Sequence, residues 1–216
     1  MMIAKMDSDA VFINSDEYRR YHPNYRALYD TFGSDSIPMT SGFSSAITEQ
    51  LIAQLSDLHM NLIIEGTGRT AEVPRKTAKL LAEKGYSVEM AVIAARPEIS
   101  LISTLLRFYM LNEKGTIPRA TAMEAPDNVV SALPHNLDAL IADFCISHMG
   151  IWDRKLSIIY DSDIDRFQPS ERLLAYWHRP WTDTELAYTF EQITLLREKE
   201  RSTNLGQSKV IDAIEQ

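Results

Sequence analysis

Four short apolar runs are the feature that most constrains what this chain can fold into. They are rich in β-branched residues, nearly continuous rather than alternating, and cover residues 10–13, 62–64, 88–94 and 156–160. Strands buried on both faces of a parallel sheet have this composition. Longer stretches with apolar residues at helical spacing separate the runs, over residues 45–58, 74–84, 97–111 and 127–146. Strands that alternate with helices predict an α/β fold with a parallel sheet.

The last quarter of the chain has a different, helical character. Residues 167–179 predict a short helix that ends among aromatic residues, which we interpret as a core anchor rather than a ring-stacking site. Thr182 and Glu185 have capping-box spacing and open a longer helix. From Arg201 the chain turns polar, which predicts a frayed tail. We therefore expect a sheet domain over residues 1–160 and a helical extension over residues 161–216 packed on it.

Composition narrows the function classes. A net charge of −8 and a pI of about 5.1 disfavour a nucleic-acid-binding protein. The single Cys145 allows no internal disulfide, which favours a reducing compartment, and the five histidines show no zinc-ligand spacing on one helix face, so no metal site is predicted. Acidic Asp7 interrupts the N-terminus before any signal-peptide pattern, and no run reaches the length of a membrane span. The sequence predicts a cytoplasmic protein that binds neither nucleic acid nor membrane.

Asp16 is the first candidate site residue, because it lies just beyond the first apolar run. Ligands of open α/β sheets bind at the carboxyl ends of the strands, where a carboxylate can accept a proton from a substrate hydroxyl. Aspartate is also a favoured helix N-cap, and spacing alone favours the cap.

Glu65 ends the second run and opens a loop of glycine, threonine and arginine residues. The glycines allow close approach of the backbone to a ligand, and Thr67 and Arg69 could hold phosphate or sugar groups. An ordinary turn explains the loop equally well.

Two arginines, Arg107 and Arg119, form the third candidate. Guanidinium groups clamp phosphates in a bidentate manner and stabilise the charge of a transferring phosphoryl group. Surface salt bridges are the alternative, and the two residues alone favour that alternative.

A phosphate-binding Walker A loop needs Gly-Lys-Ser or Gly-Lys-Thr after a glycine-rich turn. The residues that follow the eight glycines are Ser34, Phe43, Thr67, Arg69, Tyr86, Thr116, Ile151 and Gln207. None is lysine, so these 216 residues contain no Walker A motif.

Taken in order, these segments resemble the zeta toxin family of bacterial toxin–antitoxin systems. The resemblance runs from about residue 10 to about residue 140. It is carried by Ile13-Asn14-Ser15-Asp16-Glu17-Tyr18, His22-Pro23-Asn24-Tyr25, Asn61-Leu62-Ile63-Ile64-Glu65-Gly66-Thr67-Gly68-Arg69-Thr70, Val73-Pro74, Lys84-Gly85-Tyr86, Arg107 and Arg119-Ala120-Thr121. It implies the fold of P-loop small-molecule kinases. It also implies ATP- and Mg²⁺-dependent phosphorylation of UDP-N-acetylglucosamine at a sugar hydroxyl, and a small helical antitoxin as partner.

Carried over residue by residue, the resemblance assigns roles to the candidates. Asp16 resembles the general base on the sugar hydroxyl. Glu65 and Thr67, with Arg69 beside them, resemble the residues that position the substrate. Arg107 and Arg119 resemble the cationic clamp on the transferring phosphate.

The chain departs from the family at its N-terminus. Family members carry a first strand, a Walker A loop and a first helix ahead of the segment that begins here at Ala10, so we expect an N-terminally truncated sheet. The missing strand would lie between the strands of residues 62–64 and 88–94, so the sheet must close, recruit a replacement strand, or be unstable. Asn14 and Ala122 also differ from the family pattern, which has an acid and a proline there. A remnant without catalysis, or a nucleotide-sugar-binding or interaction module, is the alternative to an active kinase.

Overall fold

The strands in the described part of the chain form two small sheets. The structure is a computed structural model and describes residues 9–115 and 124–214. In the first sheet, β1 (Val11–Asn14) lies parallel to β2 (Leu62–Glu65). In the second, β3 (Glu89–Ala94) lies parallel to β4 (His148–Asp153), and β5 (Ile158–Asp161) pairs with β4 in the antiparallel sense. Helices flank these strands, so the predicted α/β class with parallel pairing is confirmed.

Helices account for most of the remaining described residues. Their bounds are α1 (Ser15–Tyr18), α2 (Tyr25–Phe32), α3 (Ser36–Asp57), α4 (Glu72–Glu83), α5 (Pro97–Glu113), α6 (Glu124–Ile141), α7 (Pro169–His178), α8 (Asp183–Thr203) and α9 (Ser208–Ile214). Short 3₁₀ turns follow α1 and precede α3. The predicted capping box forms at α8, where the Thr182 hydroxyl accepts from the Glu185 N–H and the Glu185 carboxylate accepts from the Thr182 N–H. None of the helices described here is both long and apolar enough to cross a membrane.

The second sheet corrects two sequence predictions. The helix predicted to reach residue 146 ends at Ile141, and the unpredicted strand β4 follows. The last apolar run is antiparallel to its neighbour rather than parallel, because residues 154–157 form a short turn and a parallel neighbour needs a longer crossover. Gly150 interrupts the apolar pattern of β4. A larger residue does not fit at this position, because a Cβ would overlap the Trp152 ring.

A gap separates β2 from β3. Neither strand is paired with the other, so each presents one edge that is unpaired among the described residues. Helix α4 bridges the two sheets, since its Ala78 packs in the core of the second sheet and its Leu81 in the core of the first. Val88 contacts both cores. Of the outcomes expected for a sheet without a central strand, the described residues show neither closure nor a replacement strand.

The C-terminal helices are packed rather than frayed. Apolar residues of α8 and α9 contact α5, and Val210 and Ile211 of α9 are buried. The predicted frayed tail after Arg201 is therefore wrong as far as residue 214, because α8 continues to Thr203 and α9 follows. At α7, Trp177 is buried in the core of the second sheet, which agrees with the core-anchor interpretation of the aromatic residues.

Candidate functional site

Polar side chains meet where β1 and β2 end. Asn14 and Glu65 are register partners in the parallel pair, so their side chains lie next to each other on the same face. The Asn14 Nδ2 group donates to Glu65 Oε2 at 2.5 Å. The structure thus joins one predicted site residue, Glu65, to a residue that the sequence analysis assigned no function.

Asp16 lies two residues beyond β1, in the first turn of α1. Its backbone N–H donates to Asn14 Oδ1 at 2.9 Å, so Asn14 is the N-cap of this helix. The interpretation of Asp16 as the cap is therefore wrong. The Asp16 side chain is 52% exposed, which leaves the carboxylate accessible to a ligand.

Arg19 holds the Asp16 carboxylate in place. Its Nε lies 3.1 Å from Asp16 Oδ1, and its side chain is only 14% exposed. The same guanidinium donates to the Ile37 carbonyl at 2.7 Å and to the Thr40 hydroxyl at 3.3 Å, both on α3. The sequence analysis missed Arg19. The spacing of three residues from Asp16 was a signal that could have identified it.

The loop after β2 is tethered to α6. Gly68 has a φ of +68°, and its carbonyl accepts from Asn136 Nδ2 at 2.8 Å. Thr67 and Arg69 on either side of Gly68 are exposed. The loop therefore presents a hydroxyl and a guanidinium from a backbone fixed at its middle residue. Asn136, which the sequence analysis also missed, gives no signal in sequence because it lies 68 residues from its partner.

The described residues do not test the predicted arginine pair. Arg107 is exposed on α5. Arg119 lies outside the described residues.

A group of possible metal ligands lies at a different place in the fold. His148 Nε2 is 3.0 Å from Asp161 Oδ1, and Asp163 offers a further carboxylate oxygen within 4.8 Å of both. The N–H of Asp163 and the imidazole of His148 together lower the pKa of Asp161. His148 opens β4 and Asp161 ends β5, so these ligands belong to the second sheet, whereas the candidate site follows β1 and β2 of the first.

A cavity of about 540 Å³ is lined by Pro97 and Glu98, which follow β3, and by residues of α6 and α7. It opens between α5, α6 and α7, and Glu98, His135, Trp177 and His178 are among the side chains that line it. Of the candidate site residues that the structure describes, none lines it. We take the strand ends as the candidate site, because the carboxylates, the guanidinium and the tethered loop converge there.

Comparisons with known proteins place the chain among bacterial toxins. The family model described as Zeta toxin matches residues 1–165. Toxin PezT of Streptococcus pneumoniae is 36% identical over 184 residues, which are 84% of this chain and 72% of that protein. Toxin zeta of Streptococcus pyogenes is 33% identical over 187 residues, which are 86% of this chain and 65% of that protein. A solved chain from the PezAT chromosomal toxin–antitoxin system of Streptococcus pneumoniae superposes with a TM-score of 0.80 at 33% identity, covering 91% of this chain and 78% of that chain.

Proposed function

Because the chain belongs to the zeta toxin family, we propose that it is a toxin kinase whose described residues form the face that binds UDP-N-acetylglucosamine. The reaction is transfer of a phosphoryl group from ATP to a sugar hydroxyl, in the cytoplasm, with a small helical antitoxin as partner. The observation that carries the proposal is the joined group at the strand ends, in which Asp16 and Glu65 are both held by Asn14.

Asp16 is the general base of this proposal. Its half-exposed carboxylate is oriented by Arg19, which is itself anchored to α3, so the carboxylate keeps its direction when a ligand arrives. Taking the proton from the sugar hydroxyl makes the oxygen a better nucleophile. Base assistance of this kind contributes about 10²–10⁴-fold to rate.

Glu65, Thr67 and Arg69 position the nucleotide sugar. Glu65 accepts from sugar hydroxyls, whereas Thr67 and Arg69 face solvent from the tethered loop and bind hydroxyl or phosphate groups. These contacts exist before the reaction begins, so they affect substrate affinity as well as turnover. Arg107 and Arg119 are the cations proposed for the transferring phosphate.

ATP and Mg²⁺ supply the phosphoryl group and neutralise its charge. The described residues do not fit the ATP phosphates, because no glycine of the chain is followed by lysine and this proposal assigns the glycine loop after β2 to the sugar. No step of the mechanism is therefore routed through a bound ATP here.

Calorimetric titration with UDP-N-acetylglucosamine tests the sugar site. We expect Glu65→Ala and Arg69→Ala to weaken binding about tenfold or more, since a hydrogen bond to a charged group contributes about 1.5–3 kcal/mol. Asp16→Asn should change affinity by less than about threefold, because a base acts mainly in the transition state. Glu83→Ala, at an exposed acid on α4, is the control. Equal losses in all three site variants would contradict these roles.

A second candidate function is a nucleotide-sugar-binding module that receives its phosphate-binding segment from elsewhere or has lost catalysis. The edges of β2 and β3 that are unpaired among the described residues favour it, because a strand between them would satisfy the backbone groups of both.

Phosphate transfer from ATP to UDP-N-acetylglucosamine tests whether these 216 residues hold a phosphate site of their own. The 216-residue chain by itself should transfer phosphate no faster than background while it still binds the nucleotide sugar. Robust turnover by the chain alone would rule out the module and require a phosphate site of another type.

A further inference from the structure

Asn14 contacts both carboxylate-bearing segments of the candidate site, although no role has been assigned to it. We propose that Asn14 is a positioning residue that fixes Asp16 and Glu65 relative to each other through the two ends of its side-chain amide. The effect of Asn14 on substrate binding rests on the proposed function, whereas its hydrogen bonds to Asp16 and Glu65 are observed in the structure.

The two ends of the amide are used differently. Nδ2 donates to Glu65 Oε2 across the strand pair at 2.5 Å. Oδ1 accepts from the backbone N–H of Asp16 at 2.9 Å, which fixes the start of α1. One side chain therefore sets the carboxylate at the end of β2 and the direction in which the chain leaves β1.

Asparagine is suited to this position by its length and by its donor–acceptor pair. Adjacent strands lie about 4.8 Å apart, a distance that a short side chain spans to meet its register partner. Aspartate would keep the acceptor for the Asp16 N–H but replace the donor with a second carboxylate beside Glu65. Like charges directly opposite each other are destabilising, and such a pair is relieved when it takes up a proton.

The charged and polar groups near Asn14 and Glu65 come from the segments that follow β1 and β2 and from α3. Asp16 and its partner Arg19 follow β1, and Arg69 lies on the loop after β2. From α3, which packs against α1, the hydroxyl of Ser44 accepts from that of Ser15 at 3.3 Å.

A melting series without ligand tests the contact directly, in buffer free of divalent cations. Asn14→Asp should melt below the wild type at pH 8, and the deficit should shrink as the pH is lowered, because two facing carboxylates are relieved by taking up a proton. Adding Glu65→Gln to Asn14→Asp exchanges donor and acceptor and should recover at least half of the deficit at pH 8.

Asn24→Asp is the matched control, because it adds the same charge at another exposed helix N-cap whose side chain makes no capping hydrogen bond. It should show no comparable pH-dependent deficit. The proposal is overturned if Asn14→Asp melts like the wild type at every pH, or if the added Glu65→Gln recovers nothing.

Binding of UDP-N-acetylglucosamine tests the consequence for ligand. Asn14→Ser keeps a favoured capping residue but does not reach Glu65, so affinity should fall about tenfold, and the lost hydrogen bond should lower the melting temperature only modestly because the pair is not buried. Wild-type affinity in Asn14→Ser overturns the positioning role. If even the wild type fails to bind the nucleotide sugar, the proposed function fails, and the melting series still decides whether Asn14 holds Glu65.

Discussion

Glu200 is a buried carboxylate that joins three helices, and replacing it tests how the C-terminal part is held. The residue is 6% exposed. Its Oε2 accepts from the Tyr109 hydroxyl of α5 at 2.7 Å and from the Leu205 N–H at 3.2 Å. Its Oε1 accepts from the Gln207 N–H at 2.9 Å and from the Ser208 hydroxyl at 3.2 Å. Because α5 also carries Arg107, this carboxylate contributes to placing a proposed site residue.

Glu200→Gln keeps the shape and removes one acceptor. Whichever way the amide is turned, its NH₂ group faces one hydroxyl, which can turn to accept from it, and one backbone N–H, which is left unpaired. One hydrogen bond is therefore lost, and the others no longer go to a charged group. Bonds to charged groups contribute about 1.5–3 kcal/mol each, and rearrangement recovers part of the loss, so we expect a destabilisation of about 2–4 kcal/mol. For a chain of this size that corresponds to a melting temperature lower by about 5–15 °C.

Thermal melting followed by circular dichroism measures the effect, with Glu198→Gln, at an exposed acid on the same helix, as control. Burial raises the pKa of Glu200, but hydrogen bonds from Tyr109, Ser208 and backbone N–H groups outweigh it and leave the pKa below its ordinary value. The carboxylate therefore stabilises the fold fully above about pH 4.5, the ordinary range of a glutamate, and less as the pH falls through the lower folded-state value. The gap between wild type and Glu200→Gln should accordingly narrow in acid. A gap below about 2 °C at pH 7, or one of the same size at pH 3, would refute this reasoning.

Two further predictions concern the site loop and the start of α8. Gly68→Ala should destabilise the protein by about 1–3 kcal/mol in a chemical denaturation experiment, because φ is +68° and the added Cβ would lie 2.6 Å from Leu133 Cδ1. Gly66→Ala is the control: its Cβ would meet no atom within 4 Å, so it should destabilise the protein much less. Equal losses of stability in the two variants would contradict this reasoning. Hydrogen bonding to Arg179 lowers the pKa of Glu185 to about 2. Glu185→Gln should therefore lower the melting temperature at pH 7, and this difference from the wild type should shrink as the pH falls from about 4.5 toward 2. A difference in melting temperature that does not depend on pH would contradict the ion pair.

The sequence analysis predicted the strands that have a continuous apolar pattern and missed the one that does not. Residues 62–64 and 88–94 became β2 and β3 with small shifts at their ends. β4 was not predicted because Gly150 lies at its centre and polar residues lie at its ends. Glycine is needed there because a Cβ would overlap the Trp152 ring. α9 was missed because the polar residues around it gave no periodic signal, although Val210 and Ile211 are buried against α8 and α5.

The site residues could be predicted where they follow strands, but their connections could not. Asp16 lies just beyond the end of β1, and Glu65 lies at the end of β2. The two ends are neighbours because the strands are parallel. The hydrogen bond between Asn14 and Glu65 depends on strand register, and the anchoring of Arg19 depends on the path of α3. The spacing of residues along the sequence predicts neither of these contacts.

The most direct test of the nucleotide-sugar site is a titration of ¹⁵N-labelled chain with UDP-N-acetylglucosamine, followed by backbone amide shifts. We expect the largest shifts to fall on Asn14, Asp16 and residues 65–70, and Glu65→Ala to remove them. Largest shifts at the cavity between α5, α6 and α7, on residues such as Glu98 and His135, would place the ligand elsewhere. That result, or no shifts at all, would contradict the assignment of the strand ends as the sugar-binding site.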